Sequence, residues 1–334
     1  MKPLLSALFA IWLMTASAPA FPQIADESLN KHWSEGAEDC KAHPQAPLEV
    51  HAYNPQTFIL RENLCSTFEA PFMYVLVGAT RALLIDTGDV ADPKLMPLAD
   101  TVMHLLPGQG PARLPLLVVH THRHLDHRGG DGQFTGLPNV QVVGFDLDSV
   151  WRYYNFTSWP EGDAQIDLGD RTVDAIPTPG HNETEVSFYD RKTGLFFSGD
   201  FLMPARLLID DTSADLASAK RAATFIKDRP VSYVLGGHIE VDEAGETFPW
   251  ESQYHPHEHA LAMTKDDVLA LPSAVSSFNG LYTQNGKFIM MNTNRILVAV
   301  ASAMFVVVIA LLFVLVRWIR LRRRRRKLQT AFQN

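Results

Sequence analysis

The chain has 334 residues, 46% of them hydrophobic and 20% charged, with a formal net charge of −8 at pH 7. Length and composition indicate one globular domain with additions at its ends. The charge is unevenly distributed along the chain. Residues 21–295 contain all 37 acidic residues and only 20 of the 29 basic residues, which gives them a net charge of −17. A surface of that sign repels polyanions, so we expect no nucleic-acid partner.

The N-terminus has the features of a secretory signal. Lys2 precedes an apolar run over residues 4–14, and small residues flank Pro19 before residue 21. This pattern predicts a signal peptide over residues 1–20, and its apolar run is too short to span a bilayer. Residues 21–54 are polar with scattered prolines, and we expect an irregular N-terminal extension there.

Short apolar or alternating runs predict strands, and longer periodic runs predict helices. The predicted strands cover residues 57–60, 73–77, 82–85, 116–119, 140–143, 172–176, 186–189, 195–197 and 231–235. The predicted helices cover residues 92–106 and 213–227, the second with Ser213 as its N-cap. A further helix is predicted to start at 264–267, and residues 286–291 are predicted to return to the sheet as a strand. Strands and helices mix without strict alternation, and we place the catalytic domain at residues 55–295.

A cluster of metal-binding residue types follows the predicted strand 116–119. The sequence His122-Arg123-His124-Leu125-Asp126-His127 places three imidazoles and one carboxylate within six residues. A strand end or tight loop can point His122 and His124 at one ion and the last two residues at a neighbouring ion. Imidazole and carboxylate ligands suit Zn²⁺, and Mn²⁺ or Fe can occupy such sites as well.

The segment from Thr121 to Gly130 resembles the signature of the metallo-β-lactamase superfamily. Further segments follow in the family's order over roughly residues 55–260: Asp86-Thr87-Gly88, Thr178-Pro179-Gly180-His181, Ser198-Gly199-Asp200 and Gly236-Gly237-His238. The resemblance implies an α/β (α+β) fold, the αββα sandwich, in which two sheets pack face to face with helices outside. The metal loops would gather at one rim of that sandwich.

The resemblance also implies a ligand set and a chemistry. It assigns His122, His124 and His181 to a first metal, Asp126, His127 and His238 to a second, and Asp200 to a bridge between them. Two divalent ions, zinc by preference, would share a hydroxide that attacks a small ester, lactone, thioester or phosphoester. Asp126 would orient that nucleophile and help to move its proton, while Asp86 would hold a ligand histidine through a hydrogen bond.

Two alternatives to a zinc hydrolase stay open at this point. One is an exported metal-binding or ligand-sensing ectodomain without turnover, and the other is an iron-dependent redox member of the fold. Members that hydrolyse β-lactam antibiotics use other residues at the position of Asp200, which disfavours that activity here.

The two cysteines, Cys40 and Cys65, both belong to the exported part of the chain. An oxidising compartment favours a disulfide between them, and two unpaired buried thiols are the alternative. The sequence leaves both open. Neither cysteine has metal-ligand spacing.

The C-terminus has the features of a membrane anchor. Residues 296–316 contain no charge and are long enough to cross a bilayer, although a buried core helix is the alternative. The basic tail 317–334 predicts a cytoplasmic C-terminus, with Trp318 at the headgroups and lipid contacts through residues 296–327. The catalytic domain would then lie outside the cytoplasm, in the periplasm of a bacterium, and act on a small-molecule substrate.

Two other clusters have less specific patterns. His255, His257 and His259 alternate around Pro256, which favours a loop over a third metal site. The aromatic run 151–156 is predicted to pack in the core, with a substrate-facing lid as the alternative.

Overall fold

The computed structural model describes residue 29 and residues 31–331, with side chains as far as residue 323. The predicted signal peptide, residues 1–20, lies outside the described residues. The strands are β1 Leu48–Asn54, β2 Thr57–Glu62, β3 Phe72–Val77, β4 Ala82–Ile85, β5 Leu116–Val119, β6 Val140–Val142, β7 Ala164–Asp167, β8 Thr172–Pro177, β9 Val186–Asp190, β10 Leu195–Gly199, β11 Arg206–Leu208, β12 Tyr233–Gly236, β13 Ala262–Met263, β14 Tyr282–Asn285 and β15 Phe288–Met291. The helices are α1 Leu98–Leu105, α2 Asp131–Phe134, α3 Leu147–Tyr154, α4 Thr212–Ile226, α5 Lys265–Ser276 and α6 Thr293–Ala331, and single 3₁₀ turns form at Gly110–Ala112 and Leu125–His127.

The strands form two six-stranded sheets and one three-stranded sheet. The first sheet has the order β1-β2-β3-β4-β5-β6, and the second has the order β13-β12-β10-β9-β8-β7. In the third, β11 pairs in parallel with β15, which pairs in turn with β14. Parallel pairing of β4 with β5 and of β10 with β12 sets neighbouring strand ends at one rim.

Alternate residues of each strand separate into an inner and an outer core. Ile59, Tyr74 and Leu83 of the first sheet pack against Phe188 and Phe197 of the second. The residues between them face outward, because side chains alternate across a strand. Two large sheets therefore pack face to face over one hydrophobic layer.

Helices cover the outer faces of both sheets. Leu98 and Val102 of α1 pack on the outer side of the first sheet, together with Phe134 of α2. On the second sheet, Ala222 of α4 and Leu271 of α5 belong to an outer cluster that also includes residues of the third sheet. The protein thus has the predicted mixed α/β metallo-β-lactamase fold, an αββα sandwich.

A buried ion pair joins the two sheets at one rim. Arg171, just before β8, donates to both carboxylate oxygens of Asp190, at 3.0 and 2.6 Å, and both side chains are fully buried. Its Nη1 donates to the carbonyl of Gln56, and Nη2 donates also to the hydroxyl of Thr57, both at 2.8 Å, on the first sheet. The guanidinium thereby connects the sheets at the end opposite to the predicted metal loops.

The expectation of irregular structure throughout residues 21–54 is wrong at its C-terminal end. Leu48–Asn54 forms β1, which pairs antiparallel with β2 and makes the edge of the first sheet. Cys40 and Cys65 flank this pair of strands and are joined by a disulfide with an S–S distance of 2.06 Å.

Helix ends also differ from the prediction. The chain forms a turn at Asp92, whose carboxylate accepts the N–H of Lys94, and α1 starts only after Pro97. The N-cap of α4 is Asp211 rather than Ser213, because the Asp211 carboxylate accepts the N–H groups of residues 213 and 214. The predicted start of α5 at Thr264 has a complete capping box with Asp267.

The C-terminal helix α6 is long and apolar. Its stretch Thr293–Arg323 is long and apolar enough to cross a membrane, and its most apolar window has no buried residues. The alternative of a buried core helix is therefore wrong for this segment.

The two less specific clusters are each packed in part against the rest of the domain. His255 stacks on Phe248 with a centroid distance of 4.1 Å, and its Nδ1 lies 3.0 Å from Glu258, which forms a buried ion pair with Arg61. In the aromatic run, Tyr154 and Phe156 are buried, whereas Trp151 on α3 is 42% exposed.

Candidate metal centre

Five loops meet at one rim of the sandwich. Each loop follows the C-terminal end of a strand and presents residues named from the sequence. These strand ends and their residues are β4 with Asp86, β5 with His122, His124, Asp126 and His127, β8 with His181, β10 with Asp200, and β12 with His238. The structure thus brings all of these residues together.

The first group of side chains consists of His122, His124 and His181. The Nδ1 atom of His124 lies 2.9 Å from Nε2 of His122 and 3.0 Å from Nε2 of His181. His122 and His181 are buried, while His124 is partly exposed. Three ring nitrogens so close together fit one metal ion.

The second group consists of Asp126, His127, Asp200 and His238. The Nε2 atoms of the two histidines are 3.2 Å apart, and Oδ2 of Asp126 lies 3.3 Å from the first and 3.2 Å from the second. Oδ1 of Asp200 lies 3.3 and 3.6 Å from the same two nitrogens. The other oxygen of Asp200 is 3.6 Å from Nε2 of His181, so this carboxylate lies between the two groups.

The inner atoms of the second group are all hydrogen-bond acceptors when its histidines are neutral. His127 donates its Nδ1–H to Asp86 at 2.9 Å, and His238 donates its Nδ1–H to the carbonyl of Glu69 at 2.6 Å. Their Nε2 lone pairs consequently face two carboxylates, and the buried Oδ1 of Asp200 has no hydrogen-bond partner. A divalent cation satisfies such a set of facing acceptors.

The electrostatics of the group point to the same need for positive charge. Burial lowers the pKa of His238, but Asp200 and Asp126 outweigh burial and raise it to about 10. Burial raises the pKa of Asp200, and yet His127 and His238 hold it well below its usual range. The carboxylates remain ionised in the interior, and histidine and carboxylate ligands match the preferences of zinc.

Asp86 fixes the metal loop through hydrogen bonds to Thr121 and His127. Its carboxylate accepts the N–H of Thr121 at 2.7 Å, the hydroxyl of Thr121 at 2.8 Å and the Nδ1–H of His127. These bonds fix which nitrogen of His127 faces the centre. Asp86 itself has a left-handed backbone with φ 64°, a conformation that aspartate tolerates better than most residues.

Several supporting groups are absent from the sequence prediction. The carbonyl of Leu208, on β11, accepts the Nδ1–H of His181 at 2.8 Å, and the carbonyl of Glu69 does the same for His238. Main-chain acceptors leave no trace in residue identity. The Asn182 amide lies 3.1 Å from the outer nitrogen of His124, and its position directly after His181 was the one available signal.

The backbone at Gly237 passes very close to the ligands. A Cβ atom there would lie 2.3 Å from Oδ1 of Asp200 and 2.9 Å from Cε1 of His127. Glycine before His238 therefore leaves the room that both side chains occupy.

A cleft of about 480 Å³ opens beside the first group. Its lining residues include His181, Asn182, Trp159, Pro160 and Asp210. The cleft therefore contacts the first group at His181. A fold with facing sheets and this set of ligands at its rim defines a metal-dependent hydrolase.

The chain belongs to the metallo-beta-lactamase superfamily, whose sequence model matches residues 66–238, about half of the chain. It is similar to the acyl-coenzyme A thioesterase MBLAC2 of Gallus gallus, with 26% identity over 243 residues that cover 62% of this chain and 87% of the relative. It is also similar to the hydroxyacylglutathione hydrolase of Hahella chejuensis, with 32% identity over 126 residues, 37% of this chain and 44% of that one. A solved metallo-beta-lactamase from Pontibacter korlensis is 18% identical, with a TM-score of 0.45 and coverage of 68% of this chain and 99% of that one.

Proposed function

We propose that this metallo-hydrolase is a dinuclear zinc enzyme that hydrolyses a small acyl thioester. The observation behind the proposal is the facing set of acceptors in the second group, next to a three-histidine group and an open cleft. The names of the similar thioesterase and hydroxyacylglutathione hydrolase favour thioesters among the substrates that the sequence allows. Esters, lactones and phosphoesters are the competing classes.

Seven side chains would hold the two ions. We assign His122, His124 and His181 to the first ion, Asp126, His127 and His238 to the second, and Asp200 to the bridge between them. The position of Asp200, 3.3 Å from His127 and 3.6 Å from His181, supports the bridging role. Manganese or iron in place of zinc would use the same residues.

Two zinc ions, when bound, supply a hydroxide at neutral pH and stabilise negative charge on the substrate's oxygen. Hydrolysis adds the OH of water to the acyl carbon, breaks the carbon–sulfur bond and gives the proton to the leaving sulfur. Asp126 is suited to orient the water and to take its proton, since its carboxylate is 19% exposed beside the ligands. Burial raises its pKa, but His127 outweighs burial and keeps Asp126 ionised. Asp86 keeps the ring of His127 in one orientation throughout.

We also propose a membrane-anchored arrangement. Residues 1–20 would be the signal peptide, residues 296–316 the membrane span and residues 317–334 a cytoplasmic tail. The exposed, apolar α6 and the eight basic residues of the tail support this orientation, because positive charge is retained on the cytoplasmic side. The catalytic domain, residues 55–295 together with β1, would then work outside the cytoplasm.

The test uses the full-length protein, purified in detergent, with its metal content measured. One panel holds a thioester, a carboxylic ester, a lactone, a phosphodiester and a β-lactam. We expect turnover of the thioester, and Asp200→Asn should lower it by more than about a hundredfold, because loss of a ligand exceeds the 10–100-fold cost of losing a ligand's outer partner. The matched control is Asp148→Asn, which removes a carboxylate that is 64% exposed on α3.

The other outcomes separate the alternatives. Turnover of a different compound in the panel would correct the substrate class. Two bound zinc ions without any turnover would favour a sensing ectodomain. A coloured protein that contains iron would favour a redox enzyme.

A further inference from the structure

The apolar helix α6 is joined to the globular domain without a flexible linker. Asn292 is the single residue between β15 and α6, and it is 2% exposed. Its side-chain amide donates to the carbonyl of Ile209 at 2.7 Å and to that of Asp210 at 3.2 Å, and its Oδ1 accepts the N–H of Arg295 at 2.8 Å. One side chain thus caps the helix and fastens it to the end of β11.

The end of β11 is also part of the metal centre's surroundings. The carbonyl of Leu208 accepts the Nδ1–H of His181, and the N–H groups of Asp210 and Asp211 donate to the carbonyl of Gly180 at 3.0 and 2.9 Å. All of these residues except Leu208 line the cleft. Four consecutive residues, 208–211, therefore connect the cleft to the start of the helix.

An exposed aromatic and an exposed aliphatic side chain lie next to the same helix start. Leu281 is 43% and Tyr282 is 49% exposed, and the carbonyl of Leu281 accepts the N–H of Asn292 at 2.9 Å. The guanidinium of Arg295 lies against the adjoining Gly280, where a Cβ would meet Nη1 at 2.8 Å. Tyrosine beside apolar and basic residues is typical of the zone where lipid headgroups meet the acyl chains.

We infer that the cleft opens at the bilayer surface and that the substrate is an amphiphile, an acyl thioester whose chain is partitioned into the leaflet. The inference rests on the proposed function and on the proposed membrane span. Ile296, the first residue of the uncharged run, is only about 4.5 Å along the axis from Thr293, given a rise of 1.5 Å per residue. The bilayer surface must then lie beside Asn292, and Asn292 contacts Asp210 in the wall of the cleft.

The first experiment separates the cleft from the bilayer. Full-length protein is placed in vesicles of phosphatidylethanolamine and phosphatidylglycerol and given the acetyl or the palmitoyl thioester of N-acetylcysteamine. A flexible Gly-Ser insert of about six residues between Asn292 and Thr293 adds roughly 13 Å of mean reach. The same insert after Lys327, on the tail side of the span, is the control.

We expect the insert after Asn292 to lower kcat/KM for the palmitoyl substrate about tenfold, because the cleft loses its high effective concentration of membrane-bound substrate. The acetyl substrate should change less than about twofold, which also shows that the variant is folded. Equal palmitoyl turnover in the wild-type protein and both insert variants would overturn the inference. If the wild type hydrolyses neither thioester, the proposed function and the thioester part of the inference fail, and the following measurement decides whether the rim lies at the bilayer surface.

The second experiment reads the surface directly. A polarity-sensitive dye is attached at Tyr282→Cys or, as a control, at Leu95→Cys, a side chain that is 65% exposed before α1. In vesicles with brominated lipid we expect quenching of the dye at position 282 but not at position 95. Absence of quenching at position 282 would show that this rim stays in water and would overturn the inference.

Discussion

Arg171 and Asp190, at one rim of the sandwich, differ from the carboxylates at the other rim in how their buried charge is satisfied. Each nitrogen of the guanidinium donates to an oxygen acceptor, and two of the nitrogens bind the two oxygens of Asp190 in a bidentate ion pair. In the second group of the metal centre, the Nε2 lone pairs of neutral histidines would face two carboxylates, and Oδ1 of Asp200 has no hydrogen-bond partner. Both rims are buried, so burial alone does not separate a structural cluster from a functional one. A buried carboxylate oxygen without a hydrogen-bond partner, such as Oδ1 of Asp200, does separate the functional cluster from the structural one.

The largest effect should come from breaking the satisfied rim. Arg171→Met leaves the Asp190 carboxylate buried without its counter-charge, and removal of one partner from a buried pair costs about 3–5 kcal/mol. Chemical denaturation of the metal-free protein measures this loss in the free energy of unfolding. The double variant Arg171→Met, Asp190→Leu should recover much of it, since no buried charge is then left unpaired.

The control for that variant is Arg152→Met. Arg152 pairs with Asp148 on the surface of α3, where its side chain is 78% exposed. A surface pair of this kind contributes about 0–1 kcal/mol. Equal losses for Arg171→Met and Arg152→Met would contradict the contrast between the two rims.

A smaller effect should follow from weakening the hydrogen bond that orients His127 in the metal centre. Asp86→Asn replaces the carboxylate that orients His127, and loss of such a partner lowers metal affinity by about 10–100-fold. Competition with a zinc chelator measures the affinity. The fold should persist, because asparagine also tolerates the left-handed backbone at this position.

The chain offers a matched control for Asp86. Asp131 accepts a hydrogen bond from Nε2 of His120 at 2.8 Å, but His120 is not among the clustered ligands. Asp131→Asn should therefore leave the zinc affinity almost unchanged. A similar drop in both variants would mean that the carboxylates act through general stability rather than through His127.

The smallest effect, counted per pH unit, concerns a third way to satisfy a buried carboxyl group, which is to keep its proton. Burial raises the pKa of Asp215 to about 8, and the charge of Asp211 adds to the shift. Between about pH 4 and pH 8 the folded protein retains a proton that the unfolded chain has lost. The free energy of unfolding thus falls as pH rises, by up to about 1.4 kcal/mol per pH unit for this group.

Asp215→Asn should make the free energy of unfolding fall less steeply with pH, by up to about 1.4 kcal/mol per pH unit. Urea denaturation of metal-free protein across the same range of pH measures this slope. The exposed Asp163→Asn is the control and should keep the wild-type slope. An unchanged slope in Asp215→Asn would show that the carboxyl group ionises inside the fold.

The sequence predicts the rim with the metal centre better than the rim with the Arg171–Asp190 pair. The residues from His122 to His127 are contiguous, and their types state the chemistry, so the superfamily and its fold follow from a few short segments. Arg171 and Asp190 look like ordinary surface residues in the sequence, because their pairing depends on how β8 and β9 meet the first sheet. No local pattern contains that information.

Boundaries fail for a similar reason. β1 has only one buried residue, Tyr53, so its alternation is weak, and its place in the sheet comes from the ladder to β2. The carbonyl groups of Glu69 and Leu208 orient two histidines, yet any residue type could supply them. Contacts made by the backbone become visible only when the chain is folded.

The disulfide between Cys40 and Cys65 makes the stability of one sheet edge depend on whether the compartment is oxidising or reducing. β1 is the outermost strand of its sheet, and the disulfide, which spans 25 positions, encloses it together with β2. In a reducing environment the strand would keep its ladder to β2 and the contacts of Glu49 with Lys31 and Ser34 but lose the covalent link, and fraying would uncover the edge of β2, a template for pairing with other chains. Oxidation of the two cysteines would therefore protect this edge against aggregation as well as stabilise the fold.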